Sequence, residues 1–130
     1  VFGISIPSCD QVRAVDYAGM VSGKNKDKSG LFHSYYGKLE RAPMAEECPV
    51  GLECRLVQTI PMMVDTLFIA ELAGIYTSEE YLTNDILDMD KIRPFAFTMP
   101  DKGYWALGDR IGDAWNIGKG YPDNAEQGDL

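Results

Sequence analysis

The spacing of apolar and polar residues changes several times along the chain. Val1 to Ile6 is apolar and β-branched, which predicts a strand, and Pro7 ends it. Ser8-Cys9-Asp10-Gln11 matches a capping box: Gln sits three residues after Ser and can reach back to its amide. Asp10 suits the positive end of a helix dipole. A helix is expected from about Cys9 to Met20, with Val12, Val15, Ala18 and Val21 toward a core and Arg13 and Asp16 toward water. Ser22-Gly23 is expected to stop it, with Gly23 left-handed at the cap. Lys24 to Gly30 is a polar loop with three lysines. Leu31 to Tyr36 predicts a further helical turn, and Leu39 to Ala42 a short edge strand closed by Pro43.

In Leu52 to Ile60 the residues alternate at first. Leu52, Cys54 and Leu56 share one face, Glu53 and Arg55 the other, as in a half-buried strand. Thr66 to Ile75 is nearly continuous in apolar residues and predicts a central strand covered on both sides. The short turn between these two segments predicts an antiparallel hairpin. Thr77-Ser78-Glu79-Glu80 is a second capping box, opening a short helix. Asn84 to Arg93 reads as a polar connection closed by Pro94. Phe95 to Thr98 and Tyr104 to Leu107 read as short strands around the turn Met99 to Gly103. Gly112 to Ile117 is expected to form a last helical turn, with Trp115 packed inward.

The expected fold class is therefore mainly β with short helices, suited to a small barrel. The predicted strands are too few to close one, and long open edges are prone to aggregate. Because the chain opens on Val1 in what reads as a strand already in progress, we expect N-terminal strands to be missing. Residues 1–120 are assigned to one domain, its C-terminal portion, and 121–130 to a flexible acidic tail.

Composition narrows the function. The 130 residues are 45% hydrophobic and 25% charged, with a formal net charge of −8. This suits a globular domain. The negative charge argues against nucleic-acid binding and against docking on an anionic membrane. Apolar runs are too short for a membrane span. Cys9, Cys48 and Cys54 are an odd set with no Cys-x-x-Cys spacing, which reads as free thiols in a reducing cytoplasm. The single His33 leaves no metal-ligand cluster and no His-based catalytic arrangement that a neighbour is expected to orient.

Four segments in order resemble one family, the FMN-binding split-barrel proteins of the flavin reductase, flavoredoxin and ferric reductase type. They are Asp16-Tyr17-Ala18-Gly19-Met20-Val21-Ser22-Gly23-Lys24-Asn25-Lys26-Asp27-Lys28, then Leu52-Glu53-Cys54-Arg55-Leu56-Val57, then Asp65-Thr66-Leu67-Phe68-Ile69-Ala70-Glu71. The fourth runs from Tyr104-Trp105-Ala106-Leu107-Gly108 through Gly112 to Ile117-Gly118-Lys119. In this order the resemblance covers nearly the whole chain, from Phe2 to Lys119. The chain departs from the family pattern in having Asn25 where Asp is usual, Ser29 where Phe is usual and Asp65 where His is common. It also lacks the family's N-terminal strands, with their Thr-Ala-Trp-like and basic Thr-rich segments.

The resemblance implies a split β-barrel that is incomplete here, and FMN as cofactor with NADH or NADPH as co-substrate. No dinucleotide fingerprint chooses between the two. It implies a cytoplasmic homodimer, and a small molecule or small redox protein as electron acceptor. Implied cofactor contacts are Ser22, Gly23, Lys24 and Lys28 in the lysine loop, Asp65 and Thr66 at a strand start, and Tyr104 and Trp105. Amides and ammonium groups in such a loop suit a dianionic phosphate and a reduced flavin. Each has a plainer reading: a solvated loop, a strand start chosen for β propensity, and core aromatics. Tyr104 and Trp105 should point to opposite faces. No catalytic side chain is expected, because the cofactor carries the chemistry. Two alternatives stand beside the oxidoreductase: a non-catalytic flavin-binding electron carrier, and a truncated form without cofactor that persists as an oligomer.

Overall fold

The computed structural model describes residues 1–121, so the expected acidic tail lies, after Tyr121, outside the described residues. Strand β1 (Phe2–Ile6) leads through a 3-10 turn over Cys9–Gln11 into helix α1 (Val12–Met20). The Gln11 side chain accepts from the Ser8 amide at 2.8 Å, the reach-back of the capping box. Two short strands follow, β2 (Ser34–Tyr35) and β3 (Met44–Ala45), paired antiparallel. They replace the expected helical turn at 31–36 and edge strand at 39–42.

The long hairpin is as expected. Strand β4 (Val50–Pro61) pairs antiparallel with β5 (Thr66–Thr77), and β1 lies on the other side of β4. Strand β5 is therefore an edge strand here, not a covered central one, and most of its residues are exposed. Strand β1 stops at the Phe2–Cys54 pair, so Arg55 onward continues with β5 as a two-stranded ribbon. Register shifts at Glu53/Cys54 and Leu56/Gln58 mark bulges, which bend and twist such a ribbon.

The remaining elements are small. A 3-10 turn over Glu79–Tyr81 precedes a hairpin of β6 (Leu82–Thr83) and β7 (Ile86–Leu87). Asn84 and Asp85, both at positive φ, make its two-residue turn. Helix α2 (Met89–Ile92) and the hairpin of β8 (Phe95–Thr98) and β9 (Gly103–Ala106) complete the order. The segment expected as a polar connection thus holds a hairpin and a helical turn.

The core gathers where β1 and β4 meet the Ala42–Met44 segment. Ala42, Met44, Val50, Cys54 and Ile92 are buried. Backbone approach is close here: a Cβ on Gly3 would collide with the Pro43 carbonyl. Trp115, expected inside, is 97% exposed. Its neighbours Ile111 and Ile117 are exposed as well. No helix of the described residues is long and apolar enough to cross a membrane.

Candidate functional site

Helix α1 ends because Val21 turns extended, at φ −105° and ψ 135°. Gly23 is not the left-handed cap: Gly120 is the one described glycine at positive φ. Lys28 does the capping instead. Its Nζ donates to the carbonyls of Ala18 at 2.8 Å and Val21 at 3.0 Å. A cation at this end also complements the helix dipole.

The loop folds around Ser22. Its carbonyl accepts from the amides of Asn25 and Lys26, at 3.0 and 3.1 Å. Its hydroxyl accepts from the Lys24 amide at 3.2 Å. Asp27 accepts from the Ser29 amide at 2.9 Å, a contact that holds its carboxyl below the usual range. Gly23 is exposed. Lys24 and Lys26 are exposed too and form no ion pair among the described residues. The ammonium of Lys28 has spent two of its three donors on the helix; Lys24 and Lys26 keep theirs.

The β8–β9 hairpin reaches the same helix through one side chain. The Tyr104 hydroxyl donates to Asp16 Oδ1 at 2.9 Å, a hydrogen bond that pushes the phenol pKa up. The Tyr104 ring packs against Phe95 and Phe97, with centroids 5.6 and 5.3 Å away. Trp105 lies on the opposite face, as alternation requires, and donates through Nε1 to the Thr98 hydroxyl at 2.8 Å. Asp16, read from the sequence as solvent-facing, is therefore a tether.

Asp65 and Thr66 sit elsewhere, at the far turn of the β4–β5 hairpin. Thr66 pairs with Pro61, and the Asp65 carbonyl accepts from the Met62 amide at 2.8 Å. The α1 end of the sheet is at Ile6, Val50 and Thr77. Eleven positions separate Val50 from Pro61, on the order of 35 Å of strand. So Ser22, Gly23, Lys24 and Lys28 follow α1 and Tyr104 bonds to its middle, while Trp105 takes the other face of its hairpin and Asp65 and Thr66 lie at the tip of the long one.

Two further clusters escaped the sequence reading. Glu53 is fully buried, not outward-facing. It accepts from the amides of Gly37 (2.9 Å), Lys38 (3.0 Å) and Leu39 (3.2 Å) and from the Tyr76 hydroxyl (2.7 Å). Burial pushes its carboxyl up, but these donors outweigh it and hold the group below the usual range. His33 does have an orienting neighbour: Glu47 Oε1 lies 2.7 Å from Nδ1, and this contact raises the imidazole pKa. A concavity of about 750 Å³ is lined by Cys9, Ile86, Met89, Arg93, Leu107 and Arg110, among others, and by none of the expected contact residues. No cluster of metal-ligating side chains occurs among the described residues.

Residues 1–94 match the flavin reductase like domain family. The chain belongs to that family. Its fold is the split barrel, as solved relatives show. Flavoredoxin from Methanosarcina acetivorans is 42% identical with a TM-score of 0.86, over 90% of this chain and 63% of that one. Flavoredoxin of Desulfovibrio vulgaris (Miyazaki F) is 34% identical with a TM-score of 0.82, over 90% of this chain and 64% of that one. Nitrilotriacetate monooxygenase component B from Bacillus cereus, 16% identical over 85% of this chain and 58% of that one, shares the fold at a TM-score of 0.73. The chain thus spans 63–64% of the length of the two flavoredoxins. In this flavin reductase-like chain Lys28 and Tyr104 both bond to α1, through Ala18 and Val21 and through Asp16.

Proposed function

We propose that this chain is part of an FMN-dependent oxidoreductase of the flavin reductase or flavoredoxin type, acting in the cytoplasm. The observation that carries this is the loop after α1, where the exposed cations Lys24 and Lys26 form no ion pair among the described residues and Ser22 organises the turn. Family membership and 42% identity to a flavoredoxin support it. The exposed ammonium groups of Lys24 and Lys26 fit the dianionic phosphate of FMN, while the turn amides of Lys24, Asn25 and Lys26 are already bonded to Ser22. Lys24 would pair with the phosphate, Lys28 would hold the turn to the helix, and Tyr104 would line the ring end. Bound FMN would supply the hydride and electron chemistry, from NADH or NADPH to a small-molecule or small-protein acceptor.

Asp65 and Thr66 belong to the tip of the long hairpin and Trp105 to the other face of the β8–β9 hairpin. In a homodimer the hairpin tip of one copy could serve the site of the other. The apolar ribbon, with Met63 and Val64 almost fully exposed at its tip and Phe68 more than half exposed, supports a second copy there.

Nicotinamide oxidation by the complete protein with added FMN tests the enzymatic reading: turnover with NADH or NADPH is expected. Tight FMN binding without turnover would favour the electron-carrier reading, which the flavoredoxin relatives also support.

A further inference from the structure

We infer that Asp16 is a positioning residue of the flavin site, fixing the aromatic hairpin at a set distance from the phosphate loop; this rests on the flavin reading above. The β8–β9 hairpin is pinned to the α1 unit at two points. The first is at its entry, where the Cys9 amide donates to the Arg93 carbonyl at 2.8 Å and the Arg93 guanidinium lies 3.3 Å from Asp10. The second is the Tyr104–Asp16 hydrogen bond at 2.9 Å. Without the second, the hairpin can pivot about the first.

Helix α1 then acts as the spacer. Asp16 lies four positions before Met20, the last residue of α1, on the order of 6 Å along the helix axis, and Ser22 opens the loop two residues later. The same helix holds the loop through Lys28, which donates to Ala18 and Val21. One element therefore fixes both ends of the proposed site, the loop at its C-terminus and the aromatic face at its middle. Phe95 and Phe97 hold the Tyr104 ring against rotation, so moving its hydroxyl moves the hairpin. Asp16 contacts the ring end through Tyr104, so its effect is on geometry rather than on chemistry at the cofactor.

The test compares Asp16→Ala, Asp16→Asn and Tyr104→Phe with the parent chain. In the cofactor-free protein, amide exchange over 95–106 should quicken at least about tenfold in Asp16→Ala and Tyr104→Phe. It should stay near the parent in Asp16→Asn, whose amide oxygen still accepts. After loading with FMN, the visible circular dichroism and midpoint potential should shift in Asp16→Ala and return in Asp16→Asn. A flavin-loaded Asp16→Ala whose visible dichroism and potential match the parent would overturn the assignment alone. A parent chain that takes up no FMN would overturn the flavin reading itself, and this assignment with it.

Discussion

The Tyr76 hydroxyl lies 2.7 Å from Glu53 Oε2, and both side chains reach under the loop that carries Gly37, Lys38 and Leu39. Tyr76 also accepts from the Lys38 amide at 3.1 Å. Strand register explains the meeting. Glu53 pairs with Gly74 and Tyr76 with Gly51, so the two side chains are diagonal neighbours on one face. Gly37 leaves room for them, because a Cβ there would strike both.

Removing the carboxylate should therefore unfold more than a contact. Glu53→Ala leaves the Gly37 and Leu39 amides and the Tyr76 hydroxyl without their acceptor, and such groups are expensive in a buried place. We expect its Tm to fall by about 10 °C or more and Tyr76→Phe to lose only a few degrees. Calorimetry on both variants checks the ranking; equal losses would contradict it.

The same cluster predicts an acid limit. The Glu53 carboxyl titrates below its ordinary value of 4.5 in the folded protein. The unfolded chain thus binds this proton more readily. The stabilisation is complete above about pH 4.5 and is lost as pH falls through the folded value. Denaturant unfolding as a function of pH should show this acid-side slope, and Glu53→Gln should flatten it.

His33 gives the opposite sign. Its hydrogen bond to Glu47 raises its pKa above 6.5. The contribution is full below 6.5 and is lost as pH rises through the folded value. The pair is exposed, so the effect on stability should be small. An NMR titration of the imidazole should report the raised pKa, and Glu47→Gln should return it toward 6.5.

Lys28 is predicted to matter for order rather than charge alone. Lys28→Met removes two hydrogen bonds to the α1 carbonyls, a loss of about 1–2 kcal/mol. Chemical denaturation measures the loss, and amide exchange at Asn25 and Lys26 should quicken with it.

Much of this arrangement was legible in the sequence. The Ser8–Gln11 box, the long hairpin and the opposed faces of Tyr104 and Trp105 follow from local spacing, and the structure has all three. The Asn84–Asp85 turn also carried a local signal, two residues that tolerate positive φ, which the polar composition around it hid. Other features depend on contacts between distant segments. Alternation alone sends Glu53 to water, because nothing local shows that residues 37–39 fold over it. Asp16 looks solvated until a tyrosine 88 positions away arrives. Lys28 reads as a free cation until the helix end leaves it two carbonyls. Trp115 misled because an aromatic side chain favours burial, while here it and its neighbours Ile111 and Ile117 are exposed.

The measurement that bears most directly on the central claim is the visible absorption spectrum of this chain after incubation with FMN and removal of the excess. The account predicts retained flavin bands, and an affinity about tenfold weaker, or about 1.4 kcal/mol, in Lys24→Ala. A chain that retains no flavin, or one whose affinity is the same in Lys24→Ala, would contradict it.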